Sequence, residues 1–481
     1  MFNSSVFFKC VFTFGISFAF IFSGCSQKSF NASSIKSSTD NNTASSVVTK
    51  PNIILIFADD LGFYDTGFNG SKVFETPVLD ALSKKSLVFD QAYAGAGNCA
   101  PSRGCLMSGL YTPRHGIYAV GSTLRGPVAK MKTVPVANTE YLRSDIVTIA
   151  ESMKANGYAT SIYGKWHLGE EPTTVPTAQG FDDFFDSRLG IQNTKLDKPD
   201  DPKGIYSLTK STIDFISTNK DKPFFTIISH HAIHSHLEAR PSSIAKFIDK
   251  GLSANQALYA GCIYDLDHSV GLILAKLKEL GLEENTLIVF TSDNGSTGQS
   301  SQEPLRGNKG CYYEGGIRVP FLAYWPSRIK AGVNHSPVIN LDLYPTFTAI
   351  GGKQTLNLDG ENILPILEGT KANTTRDKLF WHFPGYLNEP VTRGRDNIFR
   401  TRPVTTMRKG NWKIHLYHEE FLANNKDFDT SAQNATELFD LQNDAGERTN
   451  LALLNMAKNK ELLSEVMNWL DETKAPLPTL K

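Results

Sequence analysis

The chain has 481 residues, of which 40% are hydrophobic, and its 49 basic residues are balanced by 49 acidic ones. This length and composition are sufficient for a large buried core. A formal net charge of zero provides no global basic field, so a nucleic-acid partner is not indicated and any preference for anions must be local. The six cysteines form no C-x-x-C pair and are widely spaced, which argues against zinc ribbons and disulfide scaffolds. A single disulfide bond among them remains an alternative.

The N-terminal segment has the features of an export signal. An apolar run from Val11 to Phe22 is shorter than a membrane span and is followed by small residues that end in Cys25. Residues 1–25 resemble a bacterial lipoprotein leader with Cys25 as the acylated residue, and an ordinary signal peptide is the alternative. Both predict an exported protein, in the periplasm or at the outer membrane or cell surface. The lipoprotein leader also predicts that the protein touches a membrane only through a lipid anchor. The Ser-, Asn- and Thr-rich residues 26–50 predict a flexible tether.

Apolar runs of strand length alternate with helical patterns from residue 51 onward, and this alternation predicts an α/β fold with a largely parallel sheet. The predicted elements in chain order are a strand at Asn52–Ala58, a helix in TPVLDALSKKS, a helix that starts at Cys99, a helix in DIVTIAESMKANG, strands at 158–164 and 223–231, a long helix in LYAGCIYDLDHSVGLILAKLKELG, and strands at 286–295 and 318–326.

The pattern changes after Lys371. TTMRKGNWKIHLYHEE and ATELFDLQNDAGERTNLA indicate short antiparallel strands, and NKELLSEVMNWLDET indicates a closing helix. We therefore expect a main catalytic domain over residues 51–371 and a smaller C-terminal α+β subdomain over residues 372–481.

Polar residues follow the carboxyl ends of four predicted strands. In open α/β sheets the active site lies outside these strand ends, so we expect the side chains to meet at one edge of the sheet. The residues are Asp59 and Asp60, Lys165 and His167, His231 and His234, and Asp293 and Asn294. The acidic and amide groups offer only oxygen donors, which suits Ca²⁺ or Mg²⁺; taken alone, an adjacent Asp-Asp pair also fits a turn or a helix cap. Lys165 and His167 lie two apart and should face the same side of an extended segment.

The segment CAPSR begins the predicted helix at Cys99. Pro101 is suited to the first helical turn, where a missing N–H costs nothing. Free backbone amides and the helix dipole favour anions at this end, and Arg103 adds a positive charge. The pattern indicates a nucleophile that meets an anionic substrate, and a core cysteine in a capped helix is the alternative.

C-x-P-S-R, followed by Leu106, Ser108-Gly109 and Arg114-x-Gly116, resembles the signature of the type I sulfatases. Further blocks that match this family are NIILIFADDLGFYD, YGKWHLG, HHAIHSH, FTSDNG, LRGNKGCYYEGGIRVP, RKGNWKIH and ELFDLQND. The resemblance covers almost all of the chain after the tether. It implies an alkaline-phosphatase-like sandwich, in which a large mixed, mostly parallel sheet lies between helices and a short antiparallel sheet belongs to the C-terminal subdomain.

The resemblance also implies the chemistry of the site. A maturase oxidises the cysteine of this motif to formylglycine (3-oxoalanine), and the hydrated aldehyde attacks sulfur to form a covalent sulfo-enzyme. The diol ester then collapses to the aldehyde and expels sulfate. The metal of the family is Ca²⁺, with Mg²⁺ as the alternative. The implied metal ligands are Asp59, Asp60, Cys99, Asp293 and Asn294.

Five further residues take catalytic roles from the same resemblance. Arg103 holds the diol, Lys165 and Lys309 bind sulfate, His167 accepts the proton that triggers sulfate release, and His234 protonates the leaving oxygen. Two positions depart from the family pattern, because the usual threonine is Ser108 and the usual proline is His236.

The four histidines of HHAIHSH leave a second interpretation open. They could instead form a zinc site or lie in the core as hydrogen-bonded groups. Within the sulfatase interpretation, His231 and His236 are candidates for substrate binding, together with Lys165, His234 and Lys309.

The sequence thus predicts a sulfuric ester hydrolase that acts on a sulfated poly- or oligosaccharide, with algal glycans such as ulvan, carrageenan or fucan first and glycosaminoglycans second. The alternatives are a phosphomonoester or phosphonate hydrolase of the same superfamily and a non-enzymatic glycan-binding lipoprotein. Two segments with basic and aromatic residues, VGSTLRGPVAKMKTVPVANTEYLRS and WHFPGYLNEPVTRGRDNIFRTRP, are candidates for holding a saccharide, or are ordinary surface loops.

Overall fold

The computed structural model describes residues 50–189, 195, 198–352, 356–427 and 433–481. The predicted leader with Cys25 and the predicted tether up to residue 49 lie outside the described residues. The strands are β1 Asn52–Ala58, β2 Leu87–Phe89, β3 Ala92–Tyr93, β4 Thr133–Val134, β5 Ala159–Gly164, β6 Asp183–Phe185, β7 Phe224–Ser229, β8 Thr286–Ser292, β9 Phe321–Tyr324, β10 Gly332–Asn334, β11 Val338–Ile339, β12 Lys378–Phe383, β13 Val404–Lys409, β14 Trp412–Tyr417, β15 Thr436–Asp440 and β16 Thr479–Leu480.

The helices of the described residues range from single turns to the 26 residues of the seventh helix. They are α1 Pro77–Ser83, α2 Cys99–Ser108, α3 Thr112–His115, α4 Ile149–Ala155, α5 Ile205–Thr218, α6 Pro241–Ile248, α7 Ala254–Glu279, α8 Glu314–Ile317, α9 Leu343–Gly351, α10 Leu364–Leu367, α11 His418–Ala423 and α12 Met456–Glu472. Among the described helices, none is both long enough and apolar enough to cross a lipid bilayer.

The main sheet has eight strands in the order β10-β2-β9-β8-β1-β7-β5-β6. Its central strands β8, β1, β7 and β5 are parallel, whereas β9 runs antiparallel to both β8 and β2. The sheet is therefore mixed and mostly parallel. Parallel strands buried on both faces read as unbroken apolar runs, which explains why NIILIFA forms β1 with every residue buried.

Alternate residues of β1 point into two different hydrophobic cores. Ile53, Leu55 and Phe57 pack in the core that includes residues of α2, α4 and α9. Ile54 and Ile56 pack on the opposite face, in the core that includes residues of α5 and α7. The sheet thus lies between two helical layers, and its carboxyl-terminal edge is left for the loops.

A separate four-stranded antiparallel sheet, in the order β12-β13-β14-β15, follows the main sheet in sequence. Its core includes Met407, Ile414 and Leu416, together with Leu463 and Val466 of α12. The predicted fold class, an α/β sandwich with a mixed, mostly parallel sheet and a smaller antiparallel sheet, is confirmed.

The structure differs from the predicted strands of the main sheet in two respects. The predicted strand at 318–326 shortens to β9 and is antiparallel to its neighbour β8. The short strands β2, β6 and β10 were not predicted, because each has only three residues and at least two of those are incompletely buried. Runs this short carry no reliable hydrophobic period.

Candidate active site

The central strands end at the same level, and this register builds the site. Phe57 of β1 pairs with Ser229 of β7, which in turn pairs with Gly164 of β5. On the other side, Ala58 of β1 pairs with Ser292 of β8. The residues that follow these strand ends therefore meet at one edge of the sheet.

The carboxylates that follow β1 and β8 are fully buried. Asp59 and Asp293 approach each other with Cys99, such that one potential ligand atom from each lies within 4.8 Å of the others. Burial, followed by the charge of the neighbouring Asp59, raises the pKa of Asp293 well above its ordinary value. Two buried carboxylates at this distance require nearby positive charge.

Asp60 and Asn294 lie beside Asp59, Asp293 and Cys99, and we call these five residues the acidic corner. Asp60 adopts a left-handed conformation, with φ of 68°, which Asp tolerates better than most residues. Its Oδ1 accepts a hydrogen bond of 2.7 Å from Nδ2 of Asn294, and its backbone N–H donates to Oδ1 of Asp293 over 3.1 Å.

Helix α2 begins at Cys99, as predicted, and places this residue in the corner. Asn98 is the N-cap in an extended conformation, and the Cys99 side chain is buried. Arg103, one turn later, donates from Nε and Nη2 to Oδ2 of Asp293 at 3.0 and 2.8 Å. Burial opposes its charge, but Asp293 and Asp59 raise the pKa of Arg103. The guanidinium is therefore a fixed cation beside Cys99.

Lys165 extends from the end of β5 into the same corner. Its Nζ lies 2.7 Å from Oδ2 of Asp59. Burial works against ionisation of both groups, but Lys165 holds the pKa of Asp59 well below its usual range, and Asp59 raises the pKa of Lys165.

The backbone after β5 is not the extended segment that the sequence predicted. It turns through left-handed conformations at Gly164 and His167, with φ of 104° and 65°. Burial and the charge of Lys165 keep the pKa of His167 well below its ordinary value, so its imidazole is neutral. A neutral imidazole is able to accept a proton.

Lys309 arrives from a glycine-rich turn. Gly310 donates its N–H to the carbonyl of Gly97, two residues before Cys99, over 2.7 Å. A Cβ on Gly97 would lie 2.7 Å from the carbonyl oxygen of Cys311, so the close approach requires glycine. The Nζ of Lys309 reaches Asp60 at 2.8 Å, and although burial opposes its charge, Asp60 raises the pKa of Lys309.

The predicted histidines do not share one ligand. His231 Nε2 lies 2.7 Å from Oδ1 of Asp186, His230 Nε2 lies 3.4 Å from Ser269 Oγ, and His234 Nδ1 lies 2.7 Å from the carbonyl of Ser235. His236 is exposed. Among the described residues, the group suited to a metal is Asp59, Cys99 and Asp293, so the zinc interpretation of the histidine cluster is not supported.

His234 lies at the mouth of the site. Its side chain is 26% exposed, and its Nε2 lies 3.9 Å from Oδ2 of Asp60. Burial lowers the pKa of His234 to about 4, partly offset by the charge of Asp59.

The residues of the acidic corner fit a divalent cation. Asp59 Oδ1 and Asn294 Oδ1 are buried oxygens without a hydrogen-bond partner among the described residues. Such atoms are costly unless they meet a donor or a cation. Oxygen donors from three buried carboxylates, Asp59, Asp60 and Asp293, and from the amide of Asn294 form the environment that Ca²⁺ or Mg²⁺ prefers.

Two residues of the site were not predicted. Ser229 ends β7, accepts a hydrogen bond from Nη1 of Arg103, and donates one of 2.6 Å to the carbonyl of Lys165. Asp186 follows β6 and holds His231. Ser229 lies inside the strand predicted at 223–231, so the search for polar residues after strand ends did not find it. Asp186 was missed because β6, which precedes it, was not predicted.

Comparisons with known proteins agree with this geometry. A family model described as "Sulfatase" matches residues 51–352, and one described as "N-sulphoglucosamine sulphohydrolase, C-terminal" matches residues 307–475. A protein named "Sulfatase" from Formosa agariphila is 32% identical, over 89% of this chain and 90% of its own length. Human arylsulfatase A is 32% identical, over 84% of each chain.

Solved structures give the same result. The crystal structure of Ps i-CgsB in complex with k-i-k-neocarrahexaose superposes with a TM-score of 0.69 at 30% identity, over 88% of this chain and 93% of that one. The phosphonate monoester hydrolase of Agrobacterium radiobacter, at a TM-score of 0.64 and 18% identity, shares the fold. The chain therefore belongs to the type I sulfatase family, the sulfuric ester hydrolases with an alkaline-phosphatase-like fold.

Proposed function

We propose that this protein removes sulfate from a sulfated oligo- or polysaccharide, with Cys99 converted to formylglycine as the nucleophile. The observation that carries the proposal is the grouping of Asp59, Cys99 and Asp293 within 4.8 Å, surrounded by the cations Arg103, Lys165 and Lys309. Three fixed cations beside a helix N-terminus suit a sulfate ester and neutralise the charge that develops on its oxygens.

In the first step, one hydroxyl of the hydrated aldehyde at position 99 attacks sulfur and passes its proton to the carboxylate of Asp293, which lies within 4.8 Å of position 99. The sulfur–oxygen bond to the sugar breaks, and the leaving oxygen takes a proton from His234 at the mouth. The pKa of His234, about 4 in this structure, must rise for this step, and the negative charge of a bound sulfate ester acts in that direction. Lys165 and Lys309 hold the sulfate oxygens, since both ammonium groups already face the acidic corner. A Ca²⁺ or Mg²⁺ held by Asp59, Asp60, Asp293 and Asn294 would supply further positive charge to the sulfate group and the nucleophile.

In the second step, the remaining hydroxyl of residue 99 passes its proton to His167. The carbon–oxygen bond to the sulfate then breaks, sulfate leaves, and the aldehyde returns. The depressed pKa of His167 supports this role, because a base must be unprotonated before it acts.

We propose sulfated algal oligosaccharides, of carrageenan or ulvan type, as the first substrate class. Support comes from Ps i-CgsB, which was crystallised with neocarrahexaose and is 30% identical to this chain. Sulfated glycosaminoglycans are the second candidate, because mouse N-acetylgalactosamine-6-sulfatase is 31% identical over 72% of this chain. We propose that His231, whose ring is held by Asp186, contacts the sugar, and that the exposed His236 is a second candidate for this contact.

Sulfate release tests this proposal. Protein produced with a formylglycine-generating maturase should liberate sulfate from at least one defined sulfated oligosaccharide, and the Cys99→Ala variant should not. Liberation of phosphate from phosphomonoesters, with no sulfate from any sulfated sugar, would favour the phosphatase alternative. Loss of all hydrolysis with retained glycan binding would favour the non-enzymatic alternative.

We also propose that residues 1–25 direct export and that Cys25 carries a lipid anchor followed by the tether. Metabolic labelling with a radioactive fatty acid should mark the wild-type chain and not a Cys25→Ala variant. Labelling of both chains, or of neither, would contradict the proposed anchor.

A further inference from the structure

The two segments singled out in the sequence, residues 120–144 and 381–403, pack against each other. Leu124 forms a parallel bridge with Tyr386, and Leu387 forms an antiparallel bridge with Thr401. The N–H of Tyr386 donates to the carbonyl of Thr123 over 2.7 Å. Residues 123–125, 386–387 and 400–401 thus form a small ladder of three extended pieces, which we call the ladder.

The ladder adjoins the turn that carries Lys309. Nη1 of Arg400 donates to the carbonyl of Lys309 over 3.2 Å. The approach is close, because a Cβ on Gly310 would lie 2.4 Å from Cδ of Arg400. Arg400 is therefore the cation of the ladder that lies next to a sulfate-binding lysine of the proposed site.

A second cation lies at the far edge of the ladder. Arg125 is half-buried, and its side chain has no hydrogen bond or ion pair within the part of the chain that the structure describes. Arg400 donates from Nε to the carbonyl of Glu389 over 3.1 Å and from Nη2 to the carboxylate of Glu389 over 3.4 Å, and its own side chain is 21% exposed. Arg125 is thus open to an external anion, and Arg400 keeps one N–H on each of Nη1 and Nη2 for the same ligand.

The ladder fixes the spacing of these cations. Arg125 and Arg400 belong to its two outer pieces, with residues 386–387 between them. Neighbouring extended pieces lie about 4.8 Å apart, so the two backbones are separated by about 10 Å. Buried Met131, Tyr386 and Phe399 pack together beneath the ladder and hold it in place.

The two segments carry an excess of positive charge. They contain eight Arg or Lys residues and three Asp or Glu residues, in a chain whose total charge is zero. A local basic strip of this kind attracts a ligand with several negative charges along its length.

We propose that Arg400 and Arg125 form a subsite for further anionic groups of the saccharide, beyond the sulfate that is hydrolysed. The inference rests on the proposed function and extends it. The substrate is a chain of sugars that carries sulfate or carboxylate groups on successive residues, and the enzyme binds it along a line from Lys309 to Arg400 and then Arg125. Guanidinium groups suit this role, since their fork geometry matches sulfate and carboxylate oxygens.

Inhibition of aryl sulfate turnover tests the subsite. The probes are a sulfated galactan hexasaccharide, its chemically desulfated counterpart, and inorganic sulfate, each against hydrolysis of 4-nitrophenyl sulfate. We expect the sulfated hexasaccharide to inhibit far better than the desulfated one. Arg125→Gln and Arg400→Gln should each raise its inhibition constant at least fivefold and flatten its salt dependence, while the constant for inorganic sulfate stays within twofold.

The matched control is Arg328→Gln, because Arg328 is a partly exposed arginine paired with Glu368, outside the two segments. It should leave all three inhibition constants unchanged. Equal inhibition by the sulfated and desulfated hexasaccharides, or unchanged constants in both ladder variants, would overturn the inference.

Failure of the proposed function has a different signature. A wild-type protein that releases no sulfate from any ester contradicts the proposed function. The subsite is then measured by calorimetric binding of the same hexasaccharides to the full chain and to the two ladder variants, with the same expected fivefold loss.

Discussion

Arg103 donates hydrogen bonds to groups at the ends of three different strands. These groups are the carboxylate of Asp293, the carbonyl of Lys165 and the hydroxyl of Ser229. Ser229 accepts from Nη1 of Arg103 and donates to the carbonyl of Lys165, so it links the cation beside Cys99 to the lysine beside Asp59. The only polar atom of this small side chain thus serves two charged residues of the site. Ser229 is a positioning residue, since it touches neither Cys99 nor a predicted metal ligand through a hydrogen bond of the described structure.

We predict that Ser229→Ala lowers kcat about tenfold with little change in KM, because a hydrogen bond to a charged group is lost where the transition state needs that charge. Ser161→Ala is the matched control, since Ser161 is also a buried sheet serine but bonds to Thr226. Steady-state kinetics on an aryl sulfate distinguishes them. A similar fall in both variants would indicate a general structural effect.

Replacement of the acid and of a carboxylate should have larger effects. We predict that His234→Ala and Asp293→Asn each lower kcat/KM by at least about two orders of magnitude, as expected for lost acid–base or charge-stabilising groups. Asp214→Asn, which breaks an exposed pair with Lys210, is the control and should be neutral. Near-normal turnover in either site variant would contradict the role assigned to it.

At the scale of elements, the end of β5 depends on a glycine. Gly164 has φ of 104°, and a Cβ there would lie 2.0 Å from the carbonyl oxygen of Ser229. Gly157, just before β5, also has a positive φ, of 81°, but nothing lies within 4 Å of its Cβ position. Both glycines therefore have a backbone conformation that is strained for other residues, but only Gly164 has no room for a side chain.

We predict that Gly157→Ala costs about 1–2 kcal/mol of unfolding free energy, from the left-handed conformation alone. Gly164→Ala should cost a further ~1–3 kcal/mol, because the added methyl displaces the end of β7 or β5. Urea unfolding of both variants measures the difference. Equal losses would show that the backbone of β7 yields to the methyl group without cost.

The sequence was most informative where elements are long and fully buried. The apolar run at 52–58 predicted β1 within its exact bounds, and the helix start at Cys99 followed from a proline suited to the first turn. The direction of β9 could not be predicted, because an apolar strand carries no information on which neighbour it pairs with. The turn at His167 was not predicted either, because a left-handed conformation is uncommon for a residue other than glycine and no local pattern marks its φ of 65°.

The lack of information on strand pairing also explains which parts of the site could not be predicted. Ligand types and strand ends indicated which side chains would meet, but the partners of His231 and Arg103 depend on strand register, which the sequence does not encode locally. The approach of Gly310 to Gly97, which carries Lys309 to Cys99, joins positions more than two hundred residues apart and was likewise beyond local patterns.

At the scale of the whole molecule, buried histidines link stability to pH. Burial lowers the pKa of His115 and of His230 to about 3 and that of His382 to about 4. In the unfolded chain each imidazole titrates near 6.5. Between about pH 6.5 and these folded values, the unfolded chain binds protons that the folded chain does not, so acid favours unfolding.

We therefore predict that the unfolding free energy falls as pH decreases below about 6.5, by about 1.4 kcal/mol per pH unit for each such histidine. His382→Asn should reduce this slope, whereas His335→Gln, at an exposed position, should not. Denaturant titrations between pH 7.5 and 5 give the slope directly. A stability that stays constant or rises on acidification would contradict the neutral state of the buried rings.

The central claim is that residue 99 acts as an aldehyde, and mass spectrometry of the peptide that contains it tests this most directly. In protein produced with a formylglycine-generating maturase, we predict the mass of the aldehyde in place of the thiol, and a rate of sulfate release proportional to the converted fraction. An unmodified thiol in protein with full desulfating activity would contradict the account.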